Sequence, residues 1–259
     1  MKLFSPDPRT ERERRLAICL ALIAGYVDAF SLRAFATYVS FMSGNTTQIG
    51  VLTGQGKLFS ALAPALAIVF FVAGSFAGTW LTQSCLRYSR RLLFGLVSIL
   101  LAVVIGLTQL GALDAAVGIA ILSLAMGMMN ATLSKVGGEA VSLTFVTGDL
   151  SRVGSHLALA VQGAHLPDAQ GPWDTHRRRA ARLGIVWAGF LAGAAFSGAA
   201  VSYLGVLALL PPLVILLALT LFLREAHRTA NPAPPEKPPP VALEELAAQS
   251  RSRAAPAKA

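Results

Sequence analysis

Residues Val39 to Gly50 read V-S-F-M-S-G-N-T-T-Q-I-G, and residues Leu143 to Gly154 read L-T-F-V-T-G-D-L-S-R-V-G. Phe41, Gly44 and Gly50 return as Phe145, Gly148 and Gly154 at a constant offset of 104, while Ser43/Thr147, Asn45/Asp149, Thr47/Ser151 and Ile49/Val153 are close exchanges. A polar, glycine-bearing segment that occurs twice in an apolar chain marks an internal repeat. At membrane depth such a segment has to satisfy its backbone inside protein or against a watery cavity.

The surroundings of the motif set the class. Of 259 residues, 54% are hydrophobic and 14% charged, and the mean hydropathy is +0.61. That is more apolar side chain than a soluble core of this size buries, so the chain is a membrane protein. The apolar material falls into six stretches of about 18 to 22 residues, enough to cross a hydrocarbon core of about 30 Å. They are Leu16 to Ala36, Leu62 to Thr82, Leu92 to Leu110, Ala115 to Ser134, Leu183 to Leu204 and Gly205 to Leu223.

The formal net charge of +9 does not require nucleic acid, because the basic residues cluster at span ends. Arg9, Arg12, Arg14 and Arg15 precede the first span, Arg87, Arg90 and Arg91 follow the second, Arg177, Arg178, Arg179 and Arg182 precede the fifth, and Arg224 and Arg228 follow the sixth. Six crossings with both termini cytoplasmic put nearly every cluster inside, as the positive-inside rule requires. Counting the two polar motifs as further crossings would put Arg87, Arg90 and Arg91 outside. The first apolar run passes through Asp28 without a signal-peptidase pattern and reads as a retained helix. Cys19 and Cys85, lacking C-x-x-C spacing, read as small core residues.

The repeat reaches beyond the motif. Gly25, Asp28, Ala29 and Arg33 align with Gly127, Asn130, Ala131 and Lys135 at an offset of 102, and A-G-S-F-A-G from Ala73 resembles A-G-A-A-F-S-G from Ala192 more weakly. The expected fold is therefore an all-α, polytopic membrane helix bundle. Its segments are a basic cytoplasmic region 1–15, membrane repeats 16–110 and 111–223, and a Pro-rich cytoplasmic tail 224–259 that reads as disordered. Each half is span, polar motif, span, span. Three crossings per half make the repeats inverted, with the first motif toward the outside and the second toward the inside.

Within each motif Asn45 and Asp149 follow a glycine, Gly44 and Gly148, and suit a helix N-cap, with Gln48 at the capping-box position. Each motif then starts a short helix at Asn45 or Asp149, either re-entrant or lying at the interface. Asp28, about twelve residues into an apolar span, is expensive in lipid and is expected to face a cavity or the protein interior. Its counterpart is Asn130, whereas Asn45 is matched by Asp149, so each half carries one carboxylate and one carboxamide with roles exchanged. Candidate solute- or ion-binding residues are Asp28, Asn45, Thr46, Thr47, Asn130, Asp149, Ser151 and Tyr26, with the two carboxylates flanking a central cavity. Asp149 has a plain alternative as a cap paired with Arg152, and Arg33 and Lys135 read as interfacial anchors.

The strings G-Y-V-D-A-F-S from Gly25 and F-M-S-G-N-T-T from Phe41 resemble the signature of the YoaK-like family of bacterial membrane proteins of unknown function. The resemblance covers about residues 12 to 225. It implies a six-span bacterial inner-membrane protein, with no established substrate.

Other chemistry is sparse. Phosphate-loop motifs are absent, no cofactor is expected, and the chain does not read as an enzyme. His156, His165 and His176 have spacings that build no metal site and read as loop histidines. Ser155 beside His156 is no catalytic pair, since adjacent helical residues point apart. Gly74/Gly78 and Gly189/Gly193 are G-x-x-x-G pairs suited to close helix packing between the halves, a reading preferred to a homo-oligomer seam. The favoured function is a secondary transporter or permease for a small solute, coupled to a proton or Na+. The alternative is a non-transport membrane protein, a scaffold or an enzyme acting on a lipid-soluble substrate. The bilayer is the one certain partner.

Overall fold

The computed structural model describes residues 8–84, 89–132, 146–167, 169 and 171–222, and all regular structure among them is helical. In chain order the helices are α1 (Pro8–Phe35), α2 (Met42–Gly54), α3 (Leu58–Ser84), α4 (Ser89–Gln109), α5 (Ala115–Asn130), α6 (Val146–Val161), α7 (His176–Leu204) and α8 (Leu210–Phe222), with a 3-10 turn, Gly205–Leu209, between the last two.

Local chemistry sets several of these ends. Pro8 opens α1, where its missing N–H is no loss, and Arg33 in the last turn complements the helix dipole. Asp114 caps α5 by accepting the Ala116 N–H at 2.9 Å, and Thr175 caps α7 by accepting the Arg178 N–H at 3.3 Å. Gly205 stops α7 in a left-handed conformation, φ 54°, that a side chain would resist.

Four stretches among the described residues are long and apolar enough to cross a membrane: 11–35, 58–84, 90–109 and 176–222, the last 47 residues long and containing both α7 and α8. The expected fourth span, 115–134, is a shorter helix. α5 stops at Asn130, where Ala131 and Thr132 turn, and its 16 residues reach about 24 Å. The basic segment before the first span is helical from Pro8, and α7 begins at His176, well before the apolar run at Leu183. Ser134, Lys135, Leu143 to Phe145, Cys85, Arg87 and the tail from Arg224 lie outside the described residues.

The outer surface is apolar in the manner of a lipid-facing belt. Phe59, Phe76 and Trp80 of α3 and Phe222 of α8 are 65–91% exposed, an unfavourable arrangement in water. The buried core is built from Leu20, Ile23, Phe94, Leu101, Met126 and Met129.

α1 packs most extensively on α7, and α3 on α5. Both pairs meet through glycines against backbone. A Cβ on Gly25 would lie 2.0 Å from the Phe190 oxygen and one on Gly193 would lie 2.0 Å from the Leu22 oxygen. In the other pair, a Cβ on Gly127 would lie 2.2 Å from the Phe71 oxygen and one on Gly74 would lie 2.2 Å from the Leu124 oxygen. Leu22 and Gly25 correspond to Leu124 and Gly127 at an offset of 102, and Phe71 and Gly74 to Phe190 and Gly193 at an offset of 119. Gly78 packs similarly, with a Cβ 3.0 Å from the Met128 oxygen, and one on Gly189 would lie 3.2 Å from the Ile18 oxygen. Without glycine these backbones could not approach.

The N-terminal ends of α1, α4 and α7 meet at one end of the bundle. Arg90 contacts Glu13 at 2.6 Å, and Glu11 and Arg14 line a cavity with Trp173, Arg178 and Arg182. The short helices lie on the long ones, α2 on α3 and α6 on α7.

Candidate functional site

The chain between α1 and α2 is a buried, non-helical link, and four side chains satisfy its backbone. Ala36 takes a left-handed conformation, φ 52°, and ends α1. The Ser31 hydroxyl donates to the Thr37 oxygen at 2.9 Å. Asp28 Oδ1 accepts the N–H groups of Val39 and Ser40, both at 2.9 Å, and Asn45 Nδ2 donates to the Tyr38 oxygen at 2.7 Å. The Thr37 hydroxyl donates to the Phe35 oxygen at 3.3 Å. Thr37, Val39 and Ser40 are buried, so the bonds from Ser31 and to Asp28 answer backbone groups shielded from water, while those to the Phe35 and Tyr38 oxygens answer partly buried ones. Asp28 reaches the link from α1 and Asn45 reaches it from α2. One oxygen of this network, Asn45 Oδ1, is buried with no partner among the described residues.

Asn45 does not begin its helix, contrary to the capping reading. α2 starts at Met42, its N-cap is Phe41 with no side-chain cap, and the Asn45 N–H already bonds the Phe41 oxygen. The physical reason lies in the ring of Phe41, which folds over Gly44: a Cβ there would lie 2.3 Å from the ring. Tyr38 adds an edge contact to Phe41, with centroids 5.3 Å apart. The ring covers the helix start, Gln48 forms no capping box, and Asn45 is free to serve the link. Asp149 is likewise interior, the fourth residue of α6 from Val146.

The remaining candidates are dispersed. Thr46 and Thr47 are exposed and bond back to Met42 and Ser43 oxygens of their own helix. Ser151 is exposed on α6, and Asn130 is half-buried at the end of α5. Tyr26 is buried, and its hydroxyl has no partner among the described residues. Asp28 stands on α1 and Asp149 on α6, and both of these helices pack on α7 without packing on each other.

Asp149 is 3% exposed on the face of α6 toward the bundle, with the Arg152 guanidinium 3.9 Å away. Burial pushes its carboxyl up to about 6, against the pull of Arg152.

Two features escaped the sequence reading. His156 and His176 are not loop histidines: His156 lies on α6, His176 opens α7, and their Nδ1 atoms are 2.8 Å apart. Asp174 forms a buried cluster, accepting from Arg179 at 2.7 Å and Arg182 at 3.1 Å, with the Arg182 guanidinium 5.3 Å from the Trp173 ring. The signal available in the sequence was Asp174 standing shortly before Arg177, Arg178, Arg179 and Arg182. Among the described residues no group of three or more His, Cys, Asp or Glu could hold a metal ion.

Residues 16–222 match the model of the family described as protein of unknown function (DUF1275). A UPF0700 transmembrane protein of Rhizobium meliloti (strain 1021) is 33% identical over 221 residues, covering 82% of this chain and 89% of that relative. No solved structure matches.

Proposed function

The chain belongs to the DUF1275 family and is a transmembrane protein, and on that premise we propose that it is a secondary transporter or permease for a small solute, working by alternating access between inverted halves. One observation carries the reading. α1 of the first half embraces α7 of the second, and α5 of the second embraces α3 of the first, through glycine–carbonyl contacts at equivalent positions. Exchange of partners between halves is what a pseudo-two-fold axis generates, and inverted repeats with such an axis are the common architecture of secondary transporters.

The orientation proposed is a bacterial inner membrane with both termini cytoplasmic. Supporting it, the basic ends of α1, α4 and α7 converge at one end of the bundle. Each half contributes one short polar helix, α2 or α6, with a buried Asn45 or Asp149 in its first turns. Coupling to a proton or Na+ is assigned to the two carboxylates. Asp28 is a buried carboxylate on the link between α1 and α2, where Asn45 Oδ1 is also buried with no partner among the described residues, and a carboxylate so placed suits a proton or a hard cation. Movement of the link between α1 and α2 would change the bonds Asp28 makes, tying protonation to conformation.

The test is solute uptake in proteoliposomes under an imposed pH or Na+ gradient, using a mixture of metabolites and detection by mass spectrometry. The reading expects gradient-dependent accumulation that Asp28→Asn or Asp149→Asn abolishes with folding intact. Flux unaffected by both substitutions would end the coupling assignment, and no flux of any solute would end the transporter reading.

A further inference from the structure

A cavity of about 330 Å3 opens between α1, α7 and α8, lined by Leu22, Ile23, Tyr26, Phe196, Pro212 and Ile215 among others. That volume is within the range of small-molecule sites. The lining is apolar but for one group. Tyr26 is 4% exposed, and its hydroxyl is buried with no partner among the described residues. A phenol left so is unfavourable unless something supplies a hydrogen bond.

The helix packing differs at the equivalent place in the other half. There α4 packs along α5, and the position of Tyr26 is taken by Met128, a flexible thioether that needs no partner. Around Tyr26 the corresponding helix, α8, touches α1 at only a few points. Pro211 and Pro212 open α8 after the 3-10 turn and line the gap. The departure from the repeat thus combines an open space with a hydroxyl in place of a thioether.

We propose that this cavity binds an uncharged, hydrocarbon-rich molecule carrying one hydroxyl or carbonyl oxygen, held by the Tyr26 hydroxyl. None of the lining residues is charged, so a carboxylate or ammonium would lose its hydration without replacement. Tyr26 lies near the middle of the stretch 11–35, where a phospholipid presents only methylenes that cannot satisfy it. The ligand is therefore a small lipid-soluble amphiphile that enters whole, rather than the tail of a bilayer lipid. The site is independent of the transport reading, since it requires no movement of the halves.

The experiment uses the full chain in nanodiscs and a diazirine-bearing analogue of 1-decanol, with labelled residues mapped by mass spectrometry. Labelling is expected at Tyr26, Phe196 or Ile215, displaced by 1-decanol and not by decanoate. Ala200 of α7 also lines the cavity, and Ala200→Phe, which fills it, should abolish the labelling; Ala200→Leu serves if the larger side chain impairs folding. Tyr26→Phe should weaken competition by 1-decanol about three- to tenfold, the loss of one hydrogen bond, without changing competition by decane. Equal labelling by a phospholipid with a diazirine in its acyl chain, no displacement by 1-decanol, or an unchanged preference for alcohol over alkane in Tyr26→Phe would each overturn the proposal.

Discussion

A Cβ placed on Gly25 of α1 would stand 2.0 Å from the carbonyl oxygen of Phe190 on α7, and Gly127 of α5 bears the same relation to Phe71 of α3 at 2.2 Å. In neither pair is there a flexible side chain to yield; backbone must move. Gly25→Ala and Gly127→Ala should each lower stability by about 1–3 kcal/mol, the usual cost of overpacking, measured as a fall in thermal midpoint in detergent. Gly50 has nothing within 4 Å, so Gly50→Ala should gain about 0.5–1 kcal/mol from helix propensity. Equal midpoints for the three variants would show that the crossings are not tight.

Asp28 holds two backbone N–H groups of a buried link. Asp28→Ala leaves both without an acceptor, at about 1–3 kcal/mol each, whereas Asp28→Asn keeps a carbonyl oxygen and should recover a large part of the loss. Amide hydrogen exchange at Val39 and Ser40 checks this directly. It should accelerate strongly in the alanine variant and modestly in the asparagine variant; unchanged exchange in both would remove Asp28 from this role.

Asp174 and Arg179 are the most buried ion pair of a cluster that also holds Arg182, and removing either charge leaves the other less well compensated in a buried place. Asp174→Leu alone should cost about 3–5 kcal/mol, while adding Arg179→Met should cost much less than the two separate losses combined. A double-mutant cycle by chemical unfolding measures the coupling. Simple additivity would place the pair among the many that contribute nothing.

Asp149 gives the chain a stability that depends on pH. Its folded value of about 6 lies above the ordinary 3.8, so the folded state binds the proton more tightly. The contribution is fully present below about pH 4 and is lost as the pH rises through about 6. Asp149→Asn cannot titrate, so between pH 4 and pH 7 its stability should fall less than that of the parent, by on the order of 2 kcal/mol. Parallel midpoint curves would contradict the buried placement of this carboxyl.

The all-helical, membrane-spanning character and the close packing at Gly74, Gly78, Gly189 and Gly193 were legible because each is a periodic or compositional signal. The start of α2 was not. Asn45 after Gly44 is a sound capping pattern, but the Phe41 ring closes over that glycine, a contact that no propensity encodes. Asp28 was recognisable as costly in lipid, yet its partners lie 11 and 12 residues away in a link without regular structure. The His156–His176 contact spans 20 residues and depends on how α6 lies on α7. The apolar cavity at Tyr26 was invisible for a different reason. It arises where α8 fails to repeat the packing of α4, and a sequence repeat announces similarity rather than the place where similarity ends.

The central claim is that α2 and α6 belong to halves that enter the membrane from opposite faces. Thr46 and Ser151 are exposed neighbours of Asn45 and Asp149, and so are better reporters than the buried pair. In a background with Cys19 and Cys85 replaced by serine, single cysteines at 46 and 151 are labelled in intact cells and in inverted vesicles with a membrane-impermeant maleimide. The cysteine at 46 should react from outside and the cysteine at 151 from the cytoplasmic side. Reaction of both from one face would contradict entry from opposite faces.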